Sequence, residues 1–315
     1  MKKIIFILPY FGKFNKYFPL FLKSCEYNST VDWLIITDNQ LDYRSTNIKY
    51  IYMTFSDFIK KVQAKYDFEI YIKEPYDLCD FKVAYGDIFA EEIVGYDYWG
   101  FCDCDLIWGN IRSFLTDDLL DSYDKIYRRG HCTLFKNEPE INRLYKNTIN
   151  GEMRYRYVFT HSGAHHFDEG GEDTVLGINM IFKNAHRKIY DRYDFFDACV
   201  SKKKFIQADL IADADELVKS RNSVFLWKEG RLFRRYLKSN EFYEEDFLYI
   251  HLQKRKMKLK IKDLWNTNQM IILSNKFLKY KEISARSIKK TNRNGVYYAY
   301  WFNRIKKKLK RIFKK

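Results

Sequence analysis

The sequence predicts an α/β protein built on a central, mostly parallel sheet, and three observations predict it. Short apolar runs read as buried strands, segments with helical apolar spacing alternate with them, and polar residues gather where the strands end. Lys2–Leu8 (KKIIFIL) is the first such run. It leads through the turn Pro9, Tyr10, Phe11 and Gly12 into Asn15–Cys25, whose apolar residues recur at helical spacing. Val31–Thr37 (VDWLIIT) is a second strand, ending at Asp38 and Asn39, and Asn47–Met53 is a third. Ser56 is placed to cap a helix reaching about Lys65, and Phe81–Val94 reads as another helix. Farther on the pattern loosens. Lys125–Phe135, Ser223–Trp227 and Asp246–His251 read as strands, and Glu138–Thr148 and Asp173–Phe182 as helices.

Composition bounds the rest. A chain of 315 residues that is 46% apolar buries a substantial core, as one large or two modest domains. Its net charge of +15 suggests nucleic acid until it is located: residues 283–315 hold 12 Lys or Arg and no acid, which leaves +3 on residues 1–282. The expected organisation is a nearly balanced body over 1–282 and a basic tail over 283–315, with no nucleic-acid partner. In the tail Trp301, Ile305, Leu309, Ile312 and Phe313 make one helical stripe opposite a run of Lys and Arg, a pattern suited to an anionic membrane surface. The start of the chain does not resemble an export signal, and no run approaches the length of a membrane span. The six cysteines include no Cys-x-x-Cys pair, so reduced thiols are expected.

In α/β sheets ligands bind at the carboxyl ends of strands, which directs attention to Pro9–Gly12, to Asp38 and Asn39, and to the triplet Asp103-Cys104-Asp105. The triplet follows the aromatic run YDYWGFC within the segment YDYWGFCDCDLIWG. Two carboxylates one residue apart at the end of such a strand repel each other unless a cation lies between them, and a hard ion such as Mg²⁺ or Mn²⁺ prefers carboxylate oxygens. Pro9, Tyr10, Phe11, Asp38 and Asn39 are placed to meet a base and ribose, and Asp80 and Lys82 a sugar or phosphate. Each has a turn or capping explanation of comparable weight.

The segments ILPYFGKFNKYFPLFLKSC, WLIITDN, LCDFKVAYGDIF, YDYWGFCDCDLIWGNI, HFDE and YIHLQKRKM, in this order, resemble a family of bacterial glycosyltransferases from capsular and other surface-polysaccharide clusters. The resemblance covers about residues 1 to 280. It implies the GT-A fold, a Rossmann-like frame for nucleotide-diphospho-sugars, with residues 1–282 as the catalytic domain. It implies transfer of a hexosyl or N-acetylhexosaminyl group from a nucleotide sugar, of the UDP class, to a growing surface glycan or lipid-linked acceptor at the inner face of the cell membrane. His251 would then join Asp103 and Asp105 around Mn²⁺ or Mg²⁺, with Cys104 between them in the cofactor-binding stretch, and Lys254 and Arg255 would assist the diphosphate. Asp168 or Glu169 would stand nearest the reacting centre, as general base if the configuration inverts, with Asp173 instead an N-cap of the next helix. A nucleotidyltransferase is the rival enzyme; it normally needs a third carboxylate and a Gly-Ser turn, and the chain holds no Gly-Ser pair. A basic nucleic-acid-binding protein is the rival without chemistry, and the balanced body speaks against it.

Overall fold

The computed structural model describes residues 1–170, 176–253 and 255–291, with Phe302, Ile305 and Lys306. The expected amphipathic stripe of the tail and Asp173 therefore lie outside the described residues, apart from Ile305. The chain divides into two compact units. One takes Met1–Asn15, Asn28–Cys104 and Leu115–Arg192; the other takes Lys16–Tyr27, Asp105–Phe114 and the described residues from Tyr193 onward. Along the sequence, the passage from Cys104 to Asp105 is one of the joins.

In the first unit β1 (Ile4–Tyr10), β2 (Val31–Thr37), β3 (Ile48–Tyr52) and β4 (Tyr98–Cys102) run parallel in the order β3-β2-β1-β4. This is the strand order of a nucleotide-binding α/β half. After β5 (Leu106–Trp108), which belongs to the second unit, β6 (Lys125–Arg129) and β7 (Cys132–Lys136) form a hairpin that joins β4 antiparallel. β8 (Ile189–Tyr190) completes seven strands beside β6. The α/β class with a mostly parallel central sheet is thus what the chain adopts. Ile4 to Leu8 are all buried, as expected of a strand in the middle of the sheet.

Several boundaries differ from the sequence reading, each for a local reason. Lys125–Phe135 is two strands, because the chain reverses around Gly130 and His131. The helix expected from Ser56 begins two residues earlier: Thr54 is its N-cap, accepting from the Asp57 amide, and the helix is Phe55–Gln63. Phe81–Val94 is broken into a 3₁₀ turn, Lys82–Ala84, and a short helix, Tyr85–Ile88. Val83, Ala84, Tyr85, Ile88, Phe89 and Ile93 are all buried there, so the apolar residues fit a helical period without one long helix forming. The side chain of Trp99 lies 2.4 Å from where a Cβ on Gly86 would stand, so only glycine allows this close approach to β4. Glu138–Thr148 likewise resolves into Pro139–Asn142 and a 3₁₀ turn, Leu144–Lys146. The helix expected over Asp173–Phe182 is Ile178–Asn184, capped at Gly177.

The second unit is mostly antiparallel and largely unforeseen. Its strands are β9 (Phe196–Asp197), β10 (Ser223–Lys228), β11 (Arg231–Lys238), β12 (Glu241–Asp246), β13 (Tyr249–His251), β14 (Lys258–Lys260), β15 (Gln269–Leu273) and β16 (Lys276–Lys279). They make a six-stranded sheet, β12-β11-β10-β15-β16-β14, and a three-stranded one, β5-β13-β9. The expected strand Asp246–His251 is therefore the end of one strand and the whole of another. Glu229-Gly230 and Ser239-Asn240 both have positive φ at the two turn positions, the geometry of two-residue hairpin turns. The Trp227 indole donates to the carbonyl of Trp108 at 2.8 Å, tying β10 to β5.

The buried Arg234 of β11 holds this unit together electrostatically. It makes a two-pronged pair with Glu216, at 2.8 and 2.9 Å, and also reaches Glu245 on the paired strand β12. Glu216 is itself only 5% exposed, so removing the guanidinium strands a buried carboxylate. Arg234→Met is expected to cost ~3–5 kcal/mol, read as a lower urea midpoint with an unchanged slope; a loss under ~1 kcal/mol would contradict this role.

Candidate active site

In the first unit the end of β4 is built around Lys82. The amide of Asp103 donates to the His131 carbonyl at 2.9 Å, extending the β4–β7 ladder by one bond and fixing where the Asp103 carboxylate begins. Lys82 donates to that carboxylate and to the Gly130 carbonyl, each at 2.7 Å, and lies 3.9 Å from Asp168. Burial disfavours the ammonium, but Asp103, Cys79 and Asp168 more than offset it, so Lys82 stays charged well above its ordinary range. Asp168 is itself 5% exposed. Burial pushes its carboxyl up to about 7; Lys82 pulls the other way, while Glu169, Asp80 and Asp103 add to the rise. A Cβ on Gly130 would stand 2.7 Å from the Asp168 carboxylate, so the glycine is what lets this acid sit against the backbone.

The loop carrying Asp168 is fixed from beneath. Asp80 accepts from the amides of His165 and Phe167, both at 2.8 Å. The Glu169 carboxylate receives the Gly130 amide at 3.1 Å and lies 2.9 Å from His166 Nδ1. Asn179 donates to the Glu169 carbonyl at 2.8 Å and accepts from the buried Lys125 at 2.7 Å. Burial lowers the Lys125 ammonium to about 7. Asp80→Ala is expected to leave two loop amides without their acceptor, at ~2–4 kcal/mol, and to speed limited proteolysis within 161–169. An unchanged cleavage rate would contradict the anchoring role.

In the second unit a row of three strands brings Asp105, His251 and Asp197 together. β13 pairs antiparallel with β5, His251 opposite Leu106, and parallel with β9, His251 opposite Asp197. Asp105 immediately precedes β5, and its carbonyl accepts from the Leu252 amide at 3.1 Å. His251 Nδ1 lies 2.8 Å from the Asp197 carboxylate, which also receives Gln253 Nε2 at 2.6 Å. With Nδ1–H given to Asp197, Nε2 faces the Asp105 carboxylate at 3.4 Å. Burial works against a charged imidazole, yet Asp105 and Asp197 raise it to about 10. A positive charge is thus wanted between Nε2 and Asp105. A proton supplies it in the protein alone; in place of that proton, a divalent cation would take Nε2 and the Asp105 carboxylate as two of its ligands. An outer carboxylate on the far nitrogen is the usual support for a metal-ligating histidine.

With this geometry in hand, comparison with known proteins adds a family. The model of a family of unknown function, DUF6625, matches residues 6–281. The chain belongs to DUF6625. No curated protein matches it. Among solved structures, this DUF6625 chain is similar to the galactosyltransferase LgtC in complex with donor and acceptor sugar analogs, at 13% identity and TM-score 0.35, covering 62% of this chain and 75% of that one. It is also similar to the glycosyltransferase GlyE of Streptococcus pneumoniae TIGR4, at 12% identity and TM-score 0.31, over 61% of this chain and 45% of the other.

The remaining sequence candidates of the DUF6625 chain fall into distinct groups. Pro9–Gly12 and Asp38-Asn39 do meet at adjacent strand ends: Asp38 accepts from the Gly12 amide at 3.1 Å, and Asn39 donates to the Gly12 carbonyl at 2.7 Å. Tyr10 stacks on Phe14 and stays partly open. Phe11 is buried, at 6% exposed. It turns into the core against Phe55 and Phe58, because an apolar ring at the end of β1 has a helix face to bury against. Asp80 is neither N-cap nor exposed; it is the loop anchor just described. Cys104 is buried, with Asn15 donating to its carbonyl, and none of the six cysteines is in a disulfide. Arg255 is 4% exposed and spends its guanidinium on the carbonyls of Cys199, Lys202, Lys204 and Ser274, so it braces the chain that follows β9 rather than reaching toward a diphosphate. Lys254 lies outside the described residues. Asp197, Gln253, Asn179 and Lys125 were not foreseen; the one available signal was that Asp197, like Asp103, ends a short aromatic run.

Proposed function

We propose that the chain is a metal-dependent GT-A type glycosyltransferase that moves a hexosyl or N-acetylhexosaminyl group from a nucleotide sugar, of the UDP class, to a glycan. The observation that carries this reading is the imidazole held between two carboxylates, Nδ1 on Asp197 and Nε2 toward Asp105. Asp103 precedes Asp105 by two residues, so chain geometry alone keeps their Cα atoms within about 7 Å. Asp103, Asp105 and His251 form the ligand set of this proposal: two carboxylate oxygens and one imidazole nitrogen, a donor set that Mn²⁺ and Mg²⁺ accept while keeping positions for phosphate oxygens and water. The ion would act as a Lewis acid on the leaving diphosphate.

The chain's own groups divide the remaining work. Lys82 holds the Asp103 carboxylate and adds fixed positive charge beside it. Asp168, with its carboxyl near 7, is matched to accept the proton of an acceptor hydroxyl as that oxygen bonds to the anomeric carbon and the bond to diphosphate breaks, an inverting transfer. The turn laced by Gly12, Asp38 and Asn39, beside Pro9 and Tyr10, is offered for the base and ribose. The acceptor class, a surface or lipid-linked glycan at the inner face of the membrane, is supported by the sequence resemblance. Among the described residues no helix is long and apolar enough to cross a membrane.

The test is release of nucleoside diphosphate by the unmodified chain across a panel of UDP-, GDP-, ADP- and dTDP-sugars, with Mn²⁺, with Mg²⁺ and with chelator. Turnover of at least one sugar diphosphate that stops with chelator is expected. Turnover of none, or equal turnover with chelator, would sink the proposal.

A further inference from the structure

One pocket of the first unit has no part in the machinery above. It has a volume of about 250 Å³ and is walled on one side by Tyr71, Lys73 and Tyr76 and on the other by Ser162 and Gly163. That volume falls just below the ~300–1,000 Å³ of clefts for drug-sized ligands and suits one small ring. Tyr76 is 58% exposed, on a 3₁₀ turn, Pro75–Cys79, whose start is locked by Asp77 accepting the amides of Lys73 and Glu74. An exposed tyrosine beside a pocket offers an apolar face on which a ring can stack and a hydroxyl that can hydrogen-bond at its edge.

Both walls lead within a few residues to the reacting groups. Past Tyr76 the chain reaches Asp80 and Lys82; past Gly163 it reaches Asp168, and Asp80 ties the two segments together through the His165 and Phe167 amides. Burial first, then Cys79, pushes the Tyr76 phenol above its ordinary range, and the fields of Lys82, Asp168 and Asp103 all reach it. The wall charges are mixed rather than of one sign, and the carboxylate of Asp77 is spent on amides. An anionic ligand therefore finds no cluster of cations here, whereas a neutral, hydroxylated ring finds an aromatic face and polar edges.

We propose that this pocket binds the acceptor, and that the acceptor end is an uncharged saccharide ring laid on the face of Tyr76. The proposal rests on the glycosyltransferase reading and deepens it, but its test is binding rather than turnover. The full chain is titrated with glucose, galactose, N-acetylglucosamine and their β-linked disaccharides, followed by saturation-transfer NMR. At least one is expected to bind the unmodified chain, with Tyr76→Ala weakening it at least tenfold, Tyr76→Trp retaining it and Ser162→Trp abolishing it by filling the pocket. Because Tyr76 and Ser162 are exposed, these variants are expected to fold, which circular dichroism checks. No saccharide bound by the unmodified chain, or equal binding by Tyr76→Ala, would overturn the proposal. The transferase reading fails separately, through absence of nucleotide-sugar turnover by the unmodified chain.

Discussion

Replacing Asp105 with alanine is expected to lower metal-dependent release of nucleoside diphosphate by about 10²–10⁴-fold, the scale of a Lewis acid worth several kcal/mol in the transition state. Two effects combine. The substitution removes one proposed ligand, and it also removes the carboxylate toward which His251 Nε2 is turned. The backbone contribution survives, since the Asp105 carbonyl that accepts from the Leu252 amide does not depend on the side chain. Folding should therefore be little affected, and a melting curve close to that of the unmodified chain would separate lost chemistry from lost structure. Turnover within threefold of the unmodified chain would remove Asp105 from the site.

Asp168→Asn should act in opposite directions on rate and stability. In the proposed role of general base the carboxylate must be ionised, so transfer to acceptor is expected to rise with pH through about 7. The amide, which accepts no proton, should lower transfer by about 10²–10⁴-fold and flatten that rise. Stability follows from the same shift. Asp168 has a carboxyl raised from 3.8 to about 7, so the folded chain holds the proton more tightly than the unfolded one. Its contribution is complete below about 3.8, falls as pH rises through 7, and is absent above, where an ionised buried carboxylate remains. The uncharged amide of the variant suffers no such loss. The variant's advantage should grow between pH 4 and 7 and level off at ~2–4 kcal/mol, seen by urea denaturation at about pH 5 and about pH 8. Equal pH dependence of the two proteins would contradict the buried-base account.

Much of the first unit was legible because its signals are local. β2 begins and ends where its apolar run does, and β1 shifts by only two residues, since a strand buried in the middle of a sheet writes its limits as hydrophobicity. Asp103 was readable as a polar group at a strand end, Lys82 as one at the opening of a helix, and Asp168 only through the family resemblance. Asp80 and Arg255 were misread for one shared reason: both are polar residues placed where a ligand would suit them, and both instead satisfy backbone groups far away in sequence. Phe11 failed because a turn next to a strand end does not reveal which of its rings turns inward. In the second unit the hairpins β10-β11-β12 are local, but the three-stranded sheet that carries His251 joins distant segments. β5, β13 and β9 are two or three residues each, too short to show a period, and the partnership of Asp197 with His251 exists only through their register.

The central claim is that His251, set by Asp197 and faced by Asp105, ligates a divalent cation. Titration of Mn²⁺ into the full chain, followed by electron paramagnetic resonance of the free ion, tests it without any assumption about the sugar. One Mn²⁺ per chain is expected. His251→Ala and Asp105→Ala should each lose most of that binding, and Asp197→Asn should weaken it by about 10–100-fold, as removal of an outer partner does. A chain that binds no Mn²⁺, or binds it equally well without His251, would contradict the account.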